Sequence, residues 1–174
     1  MPDNSSITLP SSGMRNSDDV LSGHMQGDIA RMMGRQLDVY AEACKYSLAH
    51  KAGLTLTEYK ALEFILELNP ISPGQLAQLM DLSASGASAL IGRLELAGYI
   101  YRERHPDDRR MMALYPDAKH CRSIVLGMEE SAAQAIERTA RLNPSQLIAI
   151  YDFLFNSIAG LRMQALERLK HKTG

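Results

Sequence analysis

The apolar residues of this chain mostly follow a helical spacing, because they recur at intervals of three and four. Residues 28–50 are accordingly predicted to form a long first helix. Its apolar stripe consists of Ile29, Met32, Met33, Leu37, Tyr40, Cys44 and Leu48. A second helix is expected to begin after Thr57, a suitable N-cap, and to stop at Asn69-Pro70.

Two further helices are marked by the residues at their ends. Ser72 followed by Pro73 predicts the start of a short third helix, since proline favours the first helical position. A fourth helix is predicted from about Ala84 to Ala97, and Gly98 is the residue expected to end it. Only a short turn at residues 81–83 separates these two helices.

The pattern after the fourth helix differs in kind. Residues 99–104 and 111–115 are predicted to be strands, and the charged segment 105–110 is the turn between them. Two long helices are expected to follow, one from about Pro116 to Arg141 and one that opens with Asn143 as N-cap. The apolar stripe of the last helix consists of Leu147, Ile150, Tyr151, Leu154, Ile158 and Leu161.

These elements predict a division of the chain into four parts. Residues 1–27, rich in Ser, Asn, Asp, Gly and Pro, are expected to be a disordered arm. Residues 28–53 are predicted to be a dimerisation helix, 54–116 the functional core and 117–174 the C-terminal dimerisation helices. The first helix and the last two carry more apolar surface than the core can cover, which favours a homodimer. A compact monomeric bundle is the alternative.

Composition narrows the class of protein. The 174 residues suit one domain, and no apolar run approaches the roughly 18–20 residues that a membrane helix needs. No secretory signal is visible, so a cytoplasmic location is expected. Two cysteines without metal-ligand spacing predict neither a disulfide framework nor a metal site. No catalytic or cofactor-binding motif is present, so we expect neither an enzyme nor a cofactor.

The pair of helices around residues 81–83 has the features of a helix-turn-helix. Ala77 is small where two helices would cross, Leu82 is placed to fill the turn, and Ala87 and Leu90 are expected to face inward. Ser83 is predicted to cap the second helix, whose N-terminal end would be exposed. Such an end can enter the major groove of DNA. An ordinary pair of antiparallel helices is the alternative interpretation of this window.

The hairpin that follows supports the DNA-binding interpretation. It concentrates Arg102, Arg104, Arg109 and Arg110 in a chain whose net charge is only −1. An arginine on a narrow loop can enter the minor groove, and Asp108 is expected to hold the guanidinium of Arg110 in a bidentate pair. A solvated charged turn is the alternative.

Residues 54–116 resemble the winged-helix core of the MarR family of transcriptional regulators, and the flanking helices follow that family's order. The matching segments are Leu76-Ala77-Gln78-Leu79, Leu82-Ser83-Ala84-Ser85, Arg93-Leu94-Glu95, Gly98-Tyr99-Ile100 and Asp107-Asp108-Arg109-Arg110. The implied fold is mainly α: a winged helix-turn-helix with a small β-hairpin wing, and long flanking helices that form a dimer interface.

The resemblance also implies a set of DNA contacts. Arg110 would reach the minor groove beside Arg109 and paired with Asp108, and Arg93 would approach the DNA backbone. The first turns of the recognition helix would face the major groove through Ser83, Ala84, Ser85, Gly86 and Ser88.

The chain departs from the family at two places. Asp81 stands where glycine is frequent, so an adjusted turn is expected. The recognition helix carries small residues where larger polar ones are usual, which removes direct base reading by amides or guanidinium groups. We therefore expect specificity to depend on DNA shape, on hydroxyl and backbone contacts, and on the wing.

The resemblance further implies a cleft for a small aromatic or phenolic effector. Its candidate lining residues are Met32, Met33, Tyr40, Phe64, Met111 and Met112. A methionine stripe that simply belongs to the core is the alternative. Cys44 is expected to be a buried, inert thiol, and Cys121 beside His120 is not expected to bind metal.

Taken together, the sequence predicts a DNA-binding transcriptional regulator that acts on double-stranded DNA with a palindromic operator. A repressor relieved by a small molecule is the expected form. The alternative is a winged-helix module that dimerises or binds other proteins without touching DNA.

Overall fold

The computed structural model describes residues 17–171, in which helices dominate. The described residues form two compact units, which divide between Cys44 and Lys45. The helices are α1 (Ser17–Arg31), α2 (Leu37–Lys51), α3 (Leu56–Leu68), α4 (Pro73–Leu79), α5 (Ala84–Leu96), α6 (Ala118–Glu137) and α7 (Pro144–His171). The strands are β1 (Ile100–Arg104) and β2 (Met112–Pro116).

The first helical segment starts earlier than the sequence suggested. Helix α1 begins at Ser17, so the prediction of a disordered arm is wrong for residues 17–27, while residues 1–16 lie outside the described residues. Residues 22–32 are all exposed, so this stretch has no buried face for apolar periodicity to reveal. A π-helical turn at Met32–Gln36 joins α1 to α2, where a single regular helix was expected.

The N-terminus of α3 is fixed by a reciprocal pair of hydrogen bonds. The N-cap is Thr55 and not the expected Thr57, because Thr55 accepts from the amide of Glu58 while the Glu58 carboxylate accepts from the amide of Thr55. Helix α4 begins with a similar pair between Ser72 and Gln75, as its Ser-Pro start predicted. Asn143 likewise caps α7 by accepting from the amide of Gln146 at 3.0 Å.

The hydrophobic core of the second unit lies where α3, α4, α5 and α6 meet the hairpin. Its largest fully buried side chains are Tyr59, Leu62, Ile65, Leu76, Leu90, Ile91, Leu94, Leu114 and Cys121. Burial, with the nearby Asp117 charge, raises the pKa of the Cys121 thiol to about 11, so this cysteine stays protonated. Cys44 is exposed in the single chain, and its predicted burial is therefore wrong for an isolated protomer.

The two strands form an antiparallel hairpin that extends from this core. Ile100 pairs with Pro116 and Arg104 with Met112, while Leu114 also donates to the carbonyl of Ile71 at 2.8 Å. The predicted strands are confirmed to within one residue at each end. Across residues 17–171, no helix combines the length and the apolar character needed to cross a bilayer.

The turn between α4 and α5 contains Asp81, at the position where glycine was the more usual residue to expect. Asp81 has a φ of +52°, in the left-handed region that favours glycine. Aspartate tolerates this conformation better than most residues because its short carboxylate can bond locally. The turn is thus adjusted, as expected, in that Asp81 is held in a backbone conformation that is unfavourable for a residue other than glycine.

This strain leads to a prediction about stability. Asp81→Ala should lower the free energy of unfolding by about 1 kcal/mol, because alanine has a Cβ and no local hydrogen bond to offset the left-handed conformation. Asp81→Gly should be more stable than Asp81→Ala by about 1 kcal/mol, because glycine adopts the left-handed conformation without the penalty of a Cβ. Urea unfolding of both variants measures the difference. Equal destabilisation by alanine and glycine would show that the carboxylate, rather than the backbone conformation, is the important feature.

Candidate nucleic-acid interface

Helices α4 and α5 have the inward and outward faces that a helix-turn-helix requires. Ala87 and Leu90 of α5 are buried, as expected, and Leu82 packs against the core from the turn. The opposite side of α5 is accessible to solvent. Its exposed residues near the N-terminal end are Ala84, Ser85, Ser88 and Ala89.

The N-terminus of α5 is capped and still offers free backbone donors. The hydroxyl of Ser83 accepts from the amide of Gly86 at 3.1 Å, which confirms the predicted cap. The Ser83 hydroxyl also lies 3.2 Å from that of Ser85. Because helical bonding begins only after the first turn, the amides of Ala84 and Ser85 have no partner within the helix. They are therefore suited to a phosphate oxygen.

Arg93, on the flank of this exposed face, is held by a residue that the sequence did not single out. Its Nε donates to Oε1 of Glu58 at 2.5 Å, across 35 positions of sequence. The Arg93 side chain remains 58% exposed, whereas that of Glu58 is only 10% exposed. Glu58 was detectable as a partner of Thr55 in the pattern Thr-x-x-Glu, but nothing local in the sequence connects it to Arg93.

A second ion pair ties α5 to the hairpin. Arg102 of β1 binds Glu95 through two bonds, Nε to Oε1 at 3.0 Å and Nη2 to Oε2 at 2.9 Å. Arg102 therefore fixes the orientation of the hairpin relative to α5, and of the four arginines of the hairpin it is the one paired with Glu95. This bidentate pair gives α5 and β1 a defined relative position.

The loop at the tip of the hairpin is ordered by its own hydrogen bonds. Asp108 accepts from the backbone amide of Arg110 at 2.9 Å, and Arg104 donates to the carbonyl oxygen of Arg109 at 3.0 Å. The expected bidentate pair between Asp108 and the Arg110 guanidinium is not formed, because the carboxylate turns back to the main chain. Among the described residues, neither Arg109 nor Arg110 has an ion-pair partner, and both are exposed.

The six effector-pocket candidates are divided between the two units. Met32, Met33 and Tyr40 belong to the first unit, where Tyr40 is largely exposed. In the second unit, Phe64 packs against the core, whereas Met111 and Met112 are exposed at the start of β2. The pocket remains a prediction.

The Glu58 carboxylate makes the stability of the fold depend on pH. Burial alone would raise its pKa, but hydrogen bonds from Arg93 and Thr55 and the charge of Arg93 outweigh burial and lower the pKa below 4.5. A group whose folded-state pKa is lowered stabilises the fold above its unfolded pKa, and this contribution is lost as the pH falls through the folded-state value.

We therefore expect the stability difference between the wild type and Glu58→Gln to be largest near neutral pH and to shrink below pH 4.5. Urea unfolding of both proteins from about pH 6 to about pH 3 measures this difference. A difference that stays constant across the range would mean that the carboxylate has the same pKa in the folded and unfolded states.

Comparison with known proteins agrees with this geometry. Residues 52–111 match the family model described as the MarR family. The HTH-type transcriptional regulator YcgE of Bacillus subtilis (strain 168) is 29% identical over 143 residues, which cover 80% of this chain and 88% of the relative. This relative is named a transcriptional regulator and not an enzyme, in agreement with the sequence-based expectation.

Two solved structures share the fold. The transcriptional regulator Tm0710 from Thermotoga maritima is 23% identical with a TM-score of 0.56, covering 80% of this chain and 98% of that one. A MarR family protein from Bacillus stearothermophilus is 17% identical with a TM-score of 0.58, covering 85% and 99%. The predicted winged helix-turn-helix fold is thereby confirmed, and residues 52–111 of this fold are the part of the chain that is similar to the MarR family.

Proposed function

We propose that this protein binds double-stranded operator DNA as a homodimer, with α5 in the major groove and the wing arginines in the minor groove. The observation that carries the proposal is the arrangement of α5 and the hairpin. An exposed helix face with free N-terminal amides is tied, through Glu95 and Arg102, to a loop that presents Arg109 and Arg110 to solvent.

The dimer is supported by the apolar residues that the single chain leaves uncovered. Helix α7 exposes Leu147, Ile148, Ile150, Tyr151, Phe153, Leu154, Phe155, Ile158, Leu161, Met163 and Leu166. Tyr151 and Phe155 stack with ring centroids 5.9 Å apart, forming an aromatic patch on this surface. So large an apolar surface is typical of an obligate interface. A two-fold dimer in turn requires a palindromic operator.

The small residues on α5 support a particular mode of recognition. Ser85 and Ser88 offer hydroxyl groups, and Ala84 and Ala89 offer methyl groups, so none of the four can form a bidentate pair with a base. Specificity is proposed to come from DNA shape and deformability, hydroxyl and backbone contacts, and arginine insertion at the wing.

The proposed activity is repression that a small aromatic or phenolic molecule relieves. The candidate lining residues are Met32, Met33, Tyr40, Phe64, Met111 and Met112, whose flexible thioethers and aromatic rings suit apolar ligands of varied shape. A panel of aromatic acids tested for release of bound operator would identify the effector class.

The experiment that tests the function begins with selection of genomic DNA fragments by the purified protein. Anisotropy of a selected fragment and of a random fragment is then measured at about 50 and about 200 mM salt. We expect tight, salt-sensitive binding to the selected fragment only. Failure to enrich any fragment, with equally weak binding to all DNA, would favour the alternative of a protein-interaction module.

A further inference from the structure

The two carboxylate oxygens of Glu58, beside the proposed DNA-binding surface, accept hydrogen bonds from two different elements of the fold. Oε2 of Glu58 accepts from the amide of Thr55 at 2.9 Å and from its hydroxyl at 2.8 Å, which completes the N-terminal cap of α3. Oε1 points the other way and accepts from Nε of Arg93. Because Glu58 is buried and its helix is fixed by the cap, Oε1 is a rigid acceptor for the arginine.

The bond to Arg93 leaves most of the guanidinium available. It uses Nε alone, whereas the two Nη groups carry the donors that bind phosphate in a forked geometry. Arg93 follows Ala89 by one helical turn and therefore lies beside the exposed face of α5. A long arginine side chain would otherwise lose rotamer entropy on binding DNA, and the bond to Glu58 reduces that loss.

We propose that Glu58 is a positioning residue for DNA binding, which holds Arg93 by its Nε so that both Nη groups face a backbone phosphate. This inference rests on the proposed function, since it assumes that α5 lies against DNA. It makes α3 a contributor to affinity although Glu58 itself touches no DNA. A purely structural ion pair between α3 and α5 is the competing explanation.

A double-mutant cycle on operator binding separates the two explanations. Glu58→Gln turns the acceptor that faces Nε into a competing amide donor when the amide oxygen keeps its bonds to Thr55. We expect Glu58→Gln to weaken binding roughly fivefold and Arg93→Met roughly tenfold. In the Arg93→Met background, Glu58→Gln should change the dissociation constant by less than about twofold, because its effect passes through Arg93.

The salt dependence gives a readout that a structural role would not change. Loss of an oriented phosphate contact should reduce the slope of log K against log salt by about 1 for each Arg93 that is lost. Glu63→Gln is the matched control, because Glu63 forms another ion pair of α3, with Lys45 at 2.8 Å, and has no part in the proposed interface. It is expected to leave the slope unchanged.

Arg93→Lys keeps the test informative even if Glu58→Gln does not fold. Lysine keeps the charge and lacks the Nε that Glu58 holds, so binding should weaken roughly fivefold relative to the wild type. Unchanged binding by Arg93→Lys, or equal effects of Glu58→Gln with and without Arg93, would overturn the inference. The proposed function would still stand in that case, provided that the wild type binds the operator. A wild type that binds no DNA would overturn both.

Discussion

Arg110→Ala is expected to weaken binding to the selected operator by roughly 10- to 100-fold, the largest loss for any single side chain at the wing. The Arg110 side chain is exposed and has no ion-pair partner within the described part of the chain, and the loop that carries it is already ordered by Asp108 and Arg104. The loop therefore loses little conformational entropy when the Arg110 guanidinium enters a narrow minor groove, where the negative potential is strongest. Fluorescence anisotropy at low salt measures the change.

The control for this prediction removes one positive charge elsewhere. Arg122→Ala alters an exposed arginine of α6, outside both the helix-turn-helix and the hairpin, and should leave affinity nearly unchanged. Arg109→Ala, one position before Arg110, should have a smaller effect than Arg110→Ala. Equal losses in all three variants would mean that only overall charge matters and that the wing has no defined contact.

Leu154→Asp is expected to dissociate the proposed dimer and, as a consequence, to abolish tight operator binding. Leu154 lies on the uncovered apolar face of α7, and an unpaired carboxylate in an apolar interface costs several kcal/mol. The dimer dissociation constant should rise by roughly 100-fold or more. Analytical ultracentrifugation measures this directly, and circular dichroism shows whether the monomer retains its helices.

Asn156→Asp is the matched control for Leu154→Asp. Two residues along a helix correspond to a rotation of about 200°, so position 156 lies on the side opposite the apolar stripe. Asn156→Asp adds the same charge to the same turn of α7 and should leave the proposed dimer intact. A Leu154→Asp protein that remains dimeric would show that the exposed face of α7 is not the interface.

The parts of the fold that local chemistry determines could be predicted from the sequence. Ser83 caps α5, Pro73 opens α4 and Gly98 ends α5 with a φ of +79°, each as its residue type requires. Helix α1 could not be predicted, because its described residues are exposed and no periodicity marks it. The expected start of α3 lies two residues too late, because Thr55 and Thr57 are both suitable N-caps and only the reciprocal bonds between Thr55 and Glu58 distinguish them.

For the candidate site, the sequence predicts the exposed residues but not their partners. The exposed face of α5 and the arginines of the hairpin were identifiable from residue types and their order. The partners of these residues were not, because Glu58 with Arg93 and Glu95 with Arg102 depend on how helices and strand pack together. Asp108 was expected to bind a side chain and binds a main-chain amide, an outcome determined by the backbone geometry of the loop.

Hydroxyl-radical footprinting of the wild type on a selected operator tests the central claim most directly. The proposal predicts two protected half-sites on one face of the duplex, with centres about 10 base pairs or a multiple of that apart, and protected minor-groove positions beside them where the wings lie. A single unpaired footprint, or uniform weak protection along the fragment, would contradict a dimer that inserts two recognition helices and two wings.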